Sequence, residues 1–223
     1  MELAADERAA IDGHVRLLLA WNEAINLTAI REPADVATGH VVDSLTARTV
    51  LRETDIDRFM DLGSGGGFPG LPLAISLPAT AAVLADSVGK KVRFLDTVVE
   101  AVGLAGRVET YAGRAEALAA EHHHRERWPA VTARAVASLP ELAELAFPLL
   151  APGGILVAWK RGDIDAELAA AARAVNALGG GTLDTRAGTA PMLPGHCLVV
   201  IRKDGRTSDR FPRDPAQRRR GPW

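Results

Sequence analysis

The hydrophobic residues among the first fifty positions recur at helical spacing. Within residues 11–19 the apolar side chains fall on one face of a helix. A second apolar segment with helical periodicity opens at residues 40–45. We therefore predict that residues 1–55 form a helical N-terminal cap.

From Arg58 onward the pattern changes to short apolar runs that alternate with amphipathic stretches. Near-continuous apolar strands separated by helices are typical of a parallel sheet that helices cover on both faces. The predicted strands are 59–62, 81–85, 107–110, 130–135, 155–159 and 197–201, and the predicted helices lie near 69–77, 88–102, 138–150 and 163–178.

The end of the predicted core differs from its beginning. Three glycines at 179–181 separate the last predicted helix from a strand-like segment near 182–185, which precedes the strand at 197–201. This order predicts a closing antiparallel hairpin. We assign residues 56–203 to the core and expect one structural domain overall.

The C-terminal residues 204–223 are rich in Gly, Pro and Arg and lack hydrophobic periodicity, which predicts an extended basic arm. The whole chain has 26 Lys and Arg against 28 Asp and Glu, a formal charge of −2. Residues 202–223, however, hold eight cations and three aspartates, so this segment is +5 and the other 201 residues are −7. The near-neutral total therefore does not exclude a nucleic acid.

RNA contact by this arm is favoured over a purely solubilising tail. The cations can neutralise phosphates, and Phe211 and Trp223 are expected to be available for stacking on bases.

The composition is ordinary for a protein with a core, at 223 residues, 48% hydrophobic and 24% charged. The single cysteine, Cys197, excludes a disulfide framework, and its apolar strand context predicts a buried thiol. The uncharged stretch 62–85 contains five glycines and three prolines, which lipid would leave with unsatisfied backbone groups. With no secretory pattern at residues 1–11, we expect a cytoplasmic protein without a membrane partner.

The strongest local signal lies in residues 59–70. A predicted strand leads into the glycine-rich segment 63–67, and Pro69 stands where a helix can begin. Nucleotide-like cofactors bind at the carboxyl ends of such strands. Asp86, 23 residues after Gly63, ends the second strand, where a carboxylate can accept hydrogen bonds from ribose hydroxyls.

Which cofactor this loop predicts depends on the residue at which its turn begins. Residues 65–70 match the G-x-G-x-x-G pattern of dinucleotide sites, but a turn that begins at Gly63 places Phe68 where the third glycine belongs. Asp61 would repel a pyrophosphate, whereas S-adenosyl-L-methionine carries an ammonium and a sulfonium and no phosphate. S-adenosyl-L-methionine is thus favoured over a dinucleotide and over a purely structural glycine turn.

The residues that this sequence lacks limit which kinds of methyl acceptor fit it. Methylation of a pyrimidine C5 needs a nucleophilic cysteine, a role that a buried Cys197 does not suit. Methylation of an exocyclic amine usually calls for an Asn/Asp-Pro-Pro-aromatic loop after the fourth strand, and residues 132–139 contain none. A purine N7 already has an accessible lone pair, so positioning alone suffices.

Six blocks of sequence stand in order over almost the whole chain. They are WNEAINLTAI at 21–30, HVVDSL at 40–45, the loop 61–70, DSVGKK at 86–91, ARA at 133–135 and the basic ending 210–220. Together they resemble the RsmG (GidB) family of methyltransferases. In that family the enzyme transfers a methyl group from S-adenosyl-L-methionine to N7 of a guanine in the 530 loop of 16S ribosomal RNA.

The resemblance implies roles for particular residues. It places Gly63 and Phe68 at the methionine end of the cofactor, Asp86 at the ribose, and Ala115 and Glu116 beside the adenine. No residue is assigned with certainty to catalysis. With the reasoning above, the predicted cofactor-binding residues are Asp61, Gly63, Ser64, Gly65, Phe68, Asp86, Ser87, Ala115, Glu116 and Arg134.

Arg134 is the candidate for positioning the target base, and the alternative is that it only pairs with a carboxylate of the body. Lys160 and Arg161 are expected to contact RNA phosphates, and the alternative is that they belong to a solvated loop. Asn26 and Thr28 are expected to help close over the target guanine, and the alternative is that they cap or turn the chain between helices. The predicted RNA-binding residues are Asn26, Thr28, His40, Lys160, Arg161, Arg210, Arg213, Arg218, Arg219 and Arg220.

Two features depart from the family pattern. Three histidines at 122–124 enlarge a loop, and Asp214 interrupts the basic ending. Successive neighbours do not readily all face one ion, so no metal site is expected at the histidines.

We therefore expect a Rossmann-like α/β fold of the class I S-adenosyl-L-methionine-dependent methyltransferases, with a mostly parallel sheet. The expected activity is guanine-N7 methylation of 16S rRNA, within the small ribosomal subunit or an assembly intermediate, by a monomer. Two alternatives remain: a methyltransferase with a small-molecule acceptor, and a ribosome-assembly binding protein without catalysis.

Overall fold

The computed structural model describes residues 3–187, 190–221 and 223. A seven-stranded sheet runs through its centre in the order β3-β2-β1-β4-β5-β7-β6. The strands β1 to β5 pair in parallel, and β7 is antiparallel to both β5 and β6. The strands are β1 (Arg58–Leu62), β2 (Ala81–Asp86), β3 (Val108–Ala112), β4 (Trp128–Arg134), β5 (Leu150–Arg161), β6 (Gly181–Ala187) and β7 (His196–Lys203).

Helices cover both faces of this sheet. A π-helical segment, Ala37–Val42, joins two short helices of the N-terminal region. The α-helices are α1 (Ala5–Asn22), α2 (Pro33–Val36), α3 (Asp43–Leu45), α4 (Arg48–Glu53), α5 (Gly70–Ser76), α6 (Gly89–Ala101), α7 (Ala115–Ala120), α8 (Leu139–Ala146), α9 (Asp165–Ala177) and α10 (Pro215–Arg220).

Each face of the sheet has its own hydrophobic core. Phe59 of β1 packs with Leu18 of α1 and Phe94 of α6, whereas the next residue, Met60, packs on the other face with Phe147. Phe59 and Met60 are both 0% exposed, so the strand is apolar at successive positions because both of its faces are buried. The predicted fold, including the closing hairpin, is confirmed.

The order of the strands fixes where a ligand can bind. β1 lies at the centre, and the chain leaves it towards β2 on one side and later returns to β4 on the other. In open α/β sheets the crevice at the carboxyl ends of strands beside such a switch is the usual binding position. The glycine-rich loop follows β1 at this edge.

The C-terminal segment corrects one prediction, because it is folded rather than extended. Phe211 is 4% exposed and belongs to the core beneath α8 and α9, so it is not available to stack on a base. Asp214 does not merely interrupt the basic run: its carboxylate accepts hydrogen bonds from the backbone N–H groups of Ala216 and Gln217 and caps α10. Pro222 lies outside the described residues.

The charge of this segment explains why it folds back. Arg213, which is partly buried, makes an ion pair with the buried Glu144 of α8, 2.6 Å between Nη2 and Oε2. The Trp223 indole N–H donates to the same carboxylate at 2.8 Å. The opposite charges of arm and body therefore partly neutralise one another. In the part of the chain that the structure describes, no helix is long and apolar enough to cross a membrane.

Candidate functional site

The glycine-rich loop forms a tight turn directly after β1. The backbone N–H groups of Gly63 and Ser64 both donate to the carbonyl of Ala85 at the end of β2, at 2.8 and 3.0 Å. Gly63 has a φ of +69°, and a Cβ built on it would lie 2.6 Å from a methyl carbon of Val136. Only glycine satisfies both conditions without displacing that neighbour.

Asp86 lies beside this loop, at the carboxyl end of β2. One carboxylate oxygen accepts the Gly65 N–H and the other accepts the Val88 N–H, each at 2.9 Å. These bonds fix the carboxylate while each oxygen keeps a second lone pair. The arrangement of loop and acid suits a ribose-bearing cofactor, as predicted, and Ser87 is exposed beside it.

Asp61 requires a correction, because its carboxylate does not face the mouth of the site. It is 0% exposed and lies beneath the loop. Its oxygens accept the Thr132 hydroxyl at 2.8 Å and the Gly70 N–H, at the start of α5, at 3.1 Å. Burial raises the pKa of Asp61 to about 6, against the lowering effect of these hydrogen bonds. Its contacts position the loop and α5 rather than reach a ligand.

Phe68 is held between two histidine rings. Its centroid lies 4.6 Å from that of His14 and 4.7 Å from that of His40. The His14 Nε2 lies 2.8 Å from the Gly66 carbonyl oxygen, which only accepts, so this nitrogen carries the proton. Burial lowers the pKa of His14 to about 4, and the ring is neutral near pH 7. The stack fixes the far end of the loop.

Arg134 ends β4 and reaches into the N-terminal region. Its Nη1 donates to the Asp43 carboxylate at 2.9 Å, and its Nη2 donates to Nδ1 of His40 at 3.0 Å. The same Nδ1 also lies 3.1 Å from the Gly39 carbonyl oxygen, and the other ring nitrogen, Nε2, lies 2.7 Å from the Thr28 hydroxyl oxygen. Burial and the Arg134 charge lower the pKa of His40 to about 4.

Asp43 connects Arg134 to two further residues of this network. Its second carboxylate oxygen lies 3.0 Å from Nδ1 of His196 on β7, and its backbone carbonyl accepts the Trp159 indole N–H at 2.7 Å. The Arg134 guanidinium also lies over the Phe68 ring, 5.5 Å from its centroid. Arg134 does pair with a carboxylate, and that pairing holds it beside the loop.

A pocket of about 270 Å³ opens at the carboxyl ends of β4 and β5, beside Arg134. The Lys160 ammonium at its edge is already paired with Glu167 at 2.6 Å and with the Ala137 carbonyl at 3.2 Å. Arg161 is exposed at the edge of the same pocket. Trp159 and His196 also line this pocket.

The opposite end of the site contains Ala115 and Glu116 at the start of α7. The Glu116 carboxylate forms ion pairs with Arg114, at 3.6 Å, and with Arg218 of α10. Partial burial raises the pKa of Glu116, but the hydrogen bond and charge of Arg218 outweigh it, and the pKa lies below its usual value. Arg218 also contacts Glu141 at 3.1 Å.

The structure divides the predicted RNA-binding residues into two groups. Thr28 and His40 are engaged in the Arg134 network, and Lys160, Arg213 and Arg218 are paired with body carboxylates. The exposed residues are Asn26, Arg161, Arg210, Arg219 and Arg220.

A family model described as rRNA small subunit methyltransferase G (GidB) matches residues 7–191 of this chain. The chain belongs to this family. The ribosomal RNA small subunit methyltransferase G of Deinococcus deserti is 42% identical over 216 residues, covering 95% of this chain and 88% of the relative. That of Desulforamulus reducens is 37% identical over 213 residues, with the same two coverages.

Solved structures share the fold. The O-methyltransferase from Bacillus cereus in complex with SAH aligns with a TM-score of 0.57 and 16% identity, covering 86% of this chain and 91% of that one. TomG from Streptomyces achromogenes, in complex with SAM, aligns with a TM-score of 0.54 and 17% identity and covers 92% of each chain. The predicted methyltransferase of the GidB family is confirmed, and these findings support S-adenosyl-L-methionine as its cofactor.

Three residues that hold this GidB-family site were not singled out from the sequence. Asp43 lies within the block 40–45, but its spacing says nothing of partners on β4 and β7. His14 lies on an apolar face of α1, where a core histidine is the ordinary interpretation. Asn22 is buried, and its side-chain oxygen accepts the N–H groups of Leu27 and Thr28, which shapes the turn after α1.

Proposed function

We propose that the protein transfers the methyl group of S-adenosyl-L-methionine to N7 of a guanine in the 530 loop of 16S rRNA. The observation that carries the proposal is Arg134, which Asp43 and His40 hold between the cofactor loop and the pocket at the ends of β4 and β5. The GidB match supports a ribosomal RNA acceptor.

The cofactor, when bound, supplies an electrophilic methyl on a sulfonium. The chain's own residues would hold it: the backbone of the loop 63–65, the Asp86 carboxylate at the ribose, and residues 115–116 at the adenine. Gly65 has a φ of +57°, and a Cβ built on it would meet nothing nearer than 3.7 Å. The turn there leaves space for a ligand to approach the backbone.

The acceptor needs position rather than deprotonation. Guanine N7 already presents a lone pair, so the protein has no proton to remove before attack. Both ring nitrogens of His40, the imidazole beside Arg134, already have partners within the protein: Nε2 contacts the Thr28 hydroxyl, and Nδ1 contacts Arg134 and the Gly39 carbonyl. Neither nitrogen is therefore free for a base role. The network suits a target base that lies in this pocket beside Arg134, with the Trp159 ring as an apolar wall.

We further propose that the substrate is the small ribosomal subunit or an assembly intermediate, and that the protein acts in the cytoplasm as a monomer. The exposed cations Arg161, Arg210, Arg219 and Arg220 are suited to phosphates of a folded RNA.

The test is methylation of small subunits from cells that lack this gene, with isotopically labelled S-adenosyl-L-methionine and mass-spectrometric mapping of the rRNA. One labelled 7-methylguanosine in the 530 loop is expected. Label at another nucleotide, or on a small molecule only, would contradict the proposal.

A matched variant separates catalysis from binding. Asp86→Ala should abolish label transfer while subunit association persists, because Asp86 contacts the loop and not the RNA-facing cations. If Asp86→Ala left ribosomal RNA methylation unchanged, the assigned cofactor site would be wrong.

A further inference from the structure

The loop after α7 brings together three side chains that the proposed methyl transfer does not use. His123 Nε2 lies 3.1 Å and His124 Nε2 lies 3.9 Å from the same carboxylate oxygen of Glu121. The three potential ligand atoms all lie within 4.8 Å of one another. Nitrogen and oxygen ligands on one tetrahedral ion are separated by roughly 3 to 3.5 Å, because each lies about 2 Å from the metal.

A turn makes this convergence possible. The His124 and Arg125 N–H groups both donate to the Glu121 carbonyl at 2.9 Å, which folds the chain back on the end of α7. The sequence predicts no metal site here because three successive histidines do not readily all face one ion. Two of the three histidines converge on Glu121, and His122 remains outside the cluster and exposed.

Two of the ligand groups are held in place. The Tyr111 hydroxyl donates to the other carboxylate oxygen of Glu121 at 2.6 Å, which leaves the first oxygen directed at the imidazoles. The His124 ring stacks on Trp128, with centroids 5.8 Å apart, and its side chain is only 12% exposed. Hydrogen bonding of a ligand carboxylate and packing of a ligand ring are what support a metal site from outside.

The His124 ring directs Nε2 towards the Glu121 carboxylate, and its other nitrogen, Nδ1, is buried with no hydrogen-bond partner among the described residues.

We propose that Glu121, His123 and His124 form a binding site for a divalent transition-metal ion of the zinc class. Two imidazoles and one carboxylate are typical zinc ligands, and the 71% exposed His123 leaves the fourth position open to water. The site is independent of the proposed methyl transfer. The next residue of the loop, Arg125, donates to the carbonyls of Ser208 and Phe211 in the C-terminal segment. A bound ion would therefore rigidify the loop that holds this segment.

The test is calorimetric titration of the untagged, chelator-treated protein with Zn²⁺, with Mg²⁺ as the negative control. One Zn²⁺ per chain is expected, with micromolar affinity. His123→Ala, an exposed position that should not disturb folding, should weaken binding by at least about tenfold. Tyr111→Phe should weaken it by about tenfold through the carboxylate.

The neighbouring His122→Ala is the matched control and should leave the affinity unchanged within about twofold. Absence of saturable one-to-one binding in the wild-type protein would overturn the proposal. Equal losses in His122→Ala and His123→Ala would overturn it too, because they would indicate capture by a run of histidines rather than by this site.

Discussion

Arg218 and Glu116, 102 residues apart in the chain, form an ion pair that joins the C-terminal helix α10 to the start of α7. The Arg218 side chain is only 7% exposed, and it also contacts Glu141 of α8. Glu116 is a residue predicted to lie beside the cofactor's adenine. The pair therefore links the basic C-terminal segment to one end of the proposed cofactor site.

Loss of this pair should destabilise the protein and loosen the adenine end. For Arg218→Ala we expect a decrease of about 1 to 3 kcal/mol in the free energy of unfolding, because two partly buried carboxylates lose their partner. Urea unfolding measures it. Arg219→Ala, at an exposed neighbour, should change the free energy by less than about 0.5 kcal/mol. Equal effects of the two variants would argue against the pair as an anchor.

The turn at Gly63 should not tolerate a side chain. In Gly63→Ala the new methyl would meet Val136 at 2.6 Å, in addition to the cost of a positive φ of about 1 kcal/mol. We expect cofactor affinity, measured by calorimetry, to fall at least about tenfold. Gly103→Ala is the control, since its φ is +72° and its Cβ would meet nothing within 4 Å. If Gly103→Ala weakened cofactor binding as much, strain alone would explain the loss.

The buried His14 should make stability depend on pH. Its pKa is lowered from 6.5 to about 4 in the folded protein, so the unfolded chain binds more protons between these values. Stability is therefore lost as pH falls below about 6.5, by about 2 kcal/mol between pH 7 and pH 5. His14→Gln cannot titrate and should lose correspondingly less over this interval in urea unfolding. An unchanged pH dependence in the variant would show that His14 is not its source.

The burial of Asp61 acts in the opposite direction. Because its pKa is raised to about 6, the folded protein binds more protons than the unfolded chain between pH 3.8 and about 6. The unfavourable contribution is complete above pH 6 and is relieved as pH falls. Asp61→Asn should therefore make the loss of stability between pH 7 and pH 4 steeper than in the wild-type protein, as measured by urea midpoints.

The exposed arginines of α10 should carry the salt dependence of RNA binding. Removing both charges in Arg219→Gln/Arg220→Gln should lower affinity for the small subunit and reduce the slope of log K against log salt by about 1 to 2. Cofactor affinity should stay unchanged. The charge-matched control is Arg52→Gln/Arg93→Gln, on exposed positions of α4 and α6. A slope that falls equally in both double variants would place RNA contact elsewhere.

Point variants are needed here because truncation of the basic segment would damage the core. Lys203, within that segment by sequence, is 0% exposed, and its ammonium donates to the carbonyls of Phe147 and Leu150 at 2.7 Å each and to Glu126 at 2.8 Å. Deleting residues 202–223 would leave these groups and the Phe211 cavity uncompensated. Loss of RNA binding after such a deletion would therefore not identify the arm.

The sequence by itself determined the sheet, most of its helices and the cofactor loop. Short apolar runs and glycine at fixed positions are local signals, and they follow from burial on two faces and from a positive φ at Gly63. The sequence alone also predicts Asp86, because the end of a strand and its spacing from the loop can be read directly from the order of residues.

Only the tertiary structure decided where the charges go. The basic ending looked like a free arm because Arg213 and Arg218 are far in sequence from Glu144 and Glu116, and no local pattern records such pairs. Asp61 looked like a ligand contact for the same reason, although folding turns its carboxylate towards Thr132 and α5. Electrostatic partners depend on distance in space, so their identity emerges only when the layers have packed.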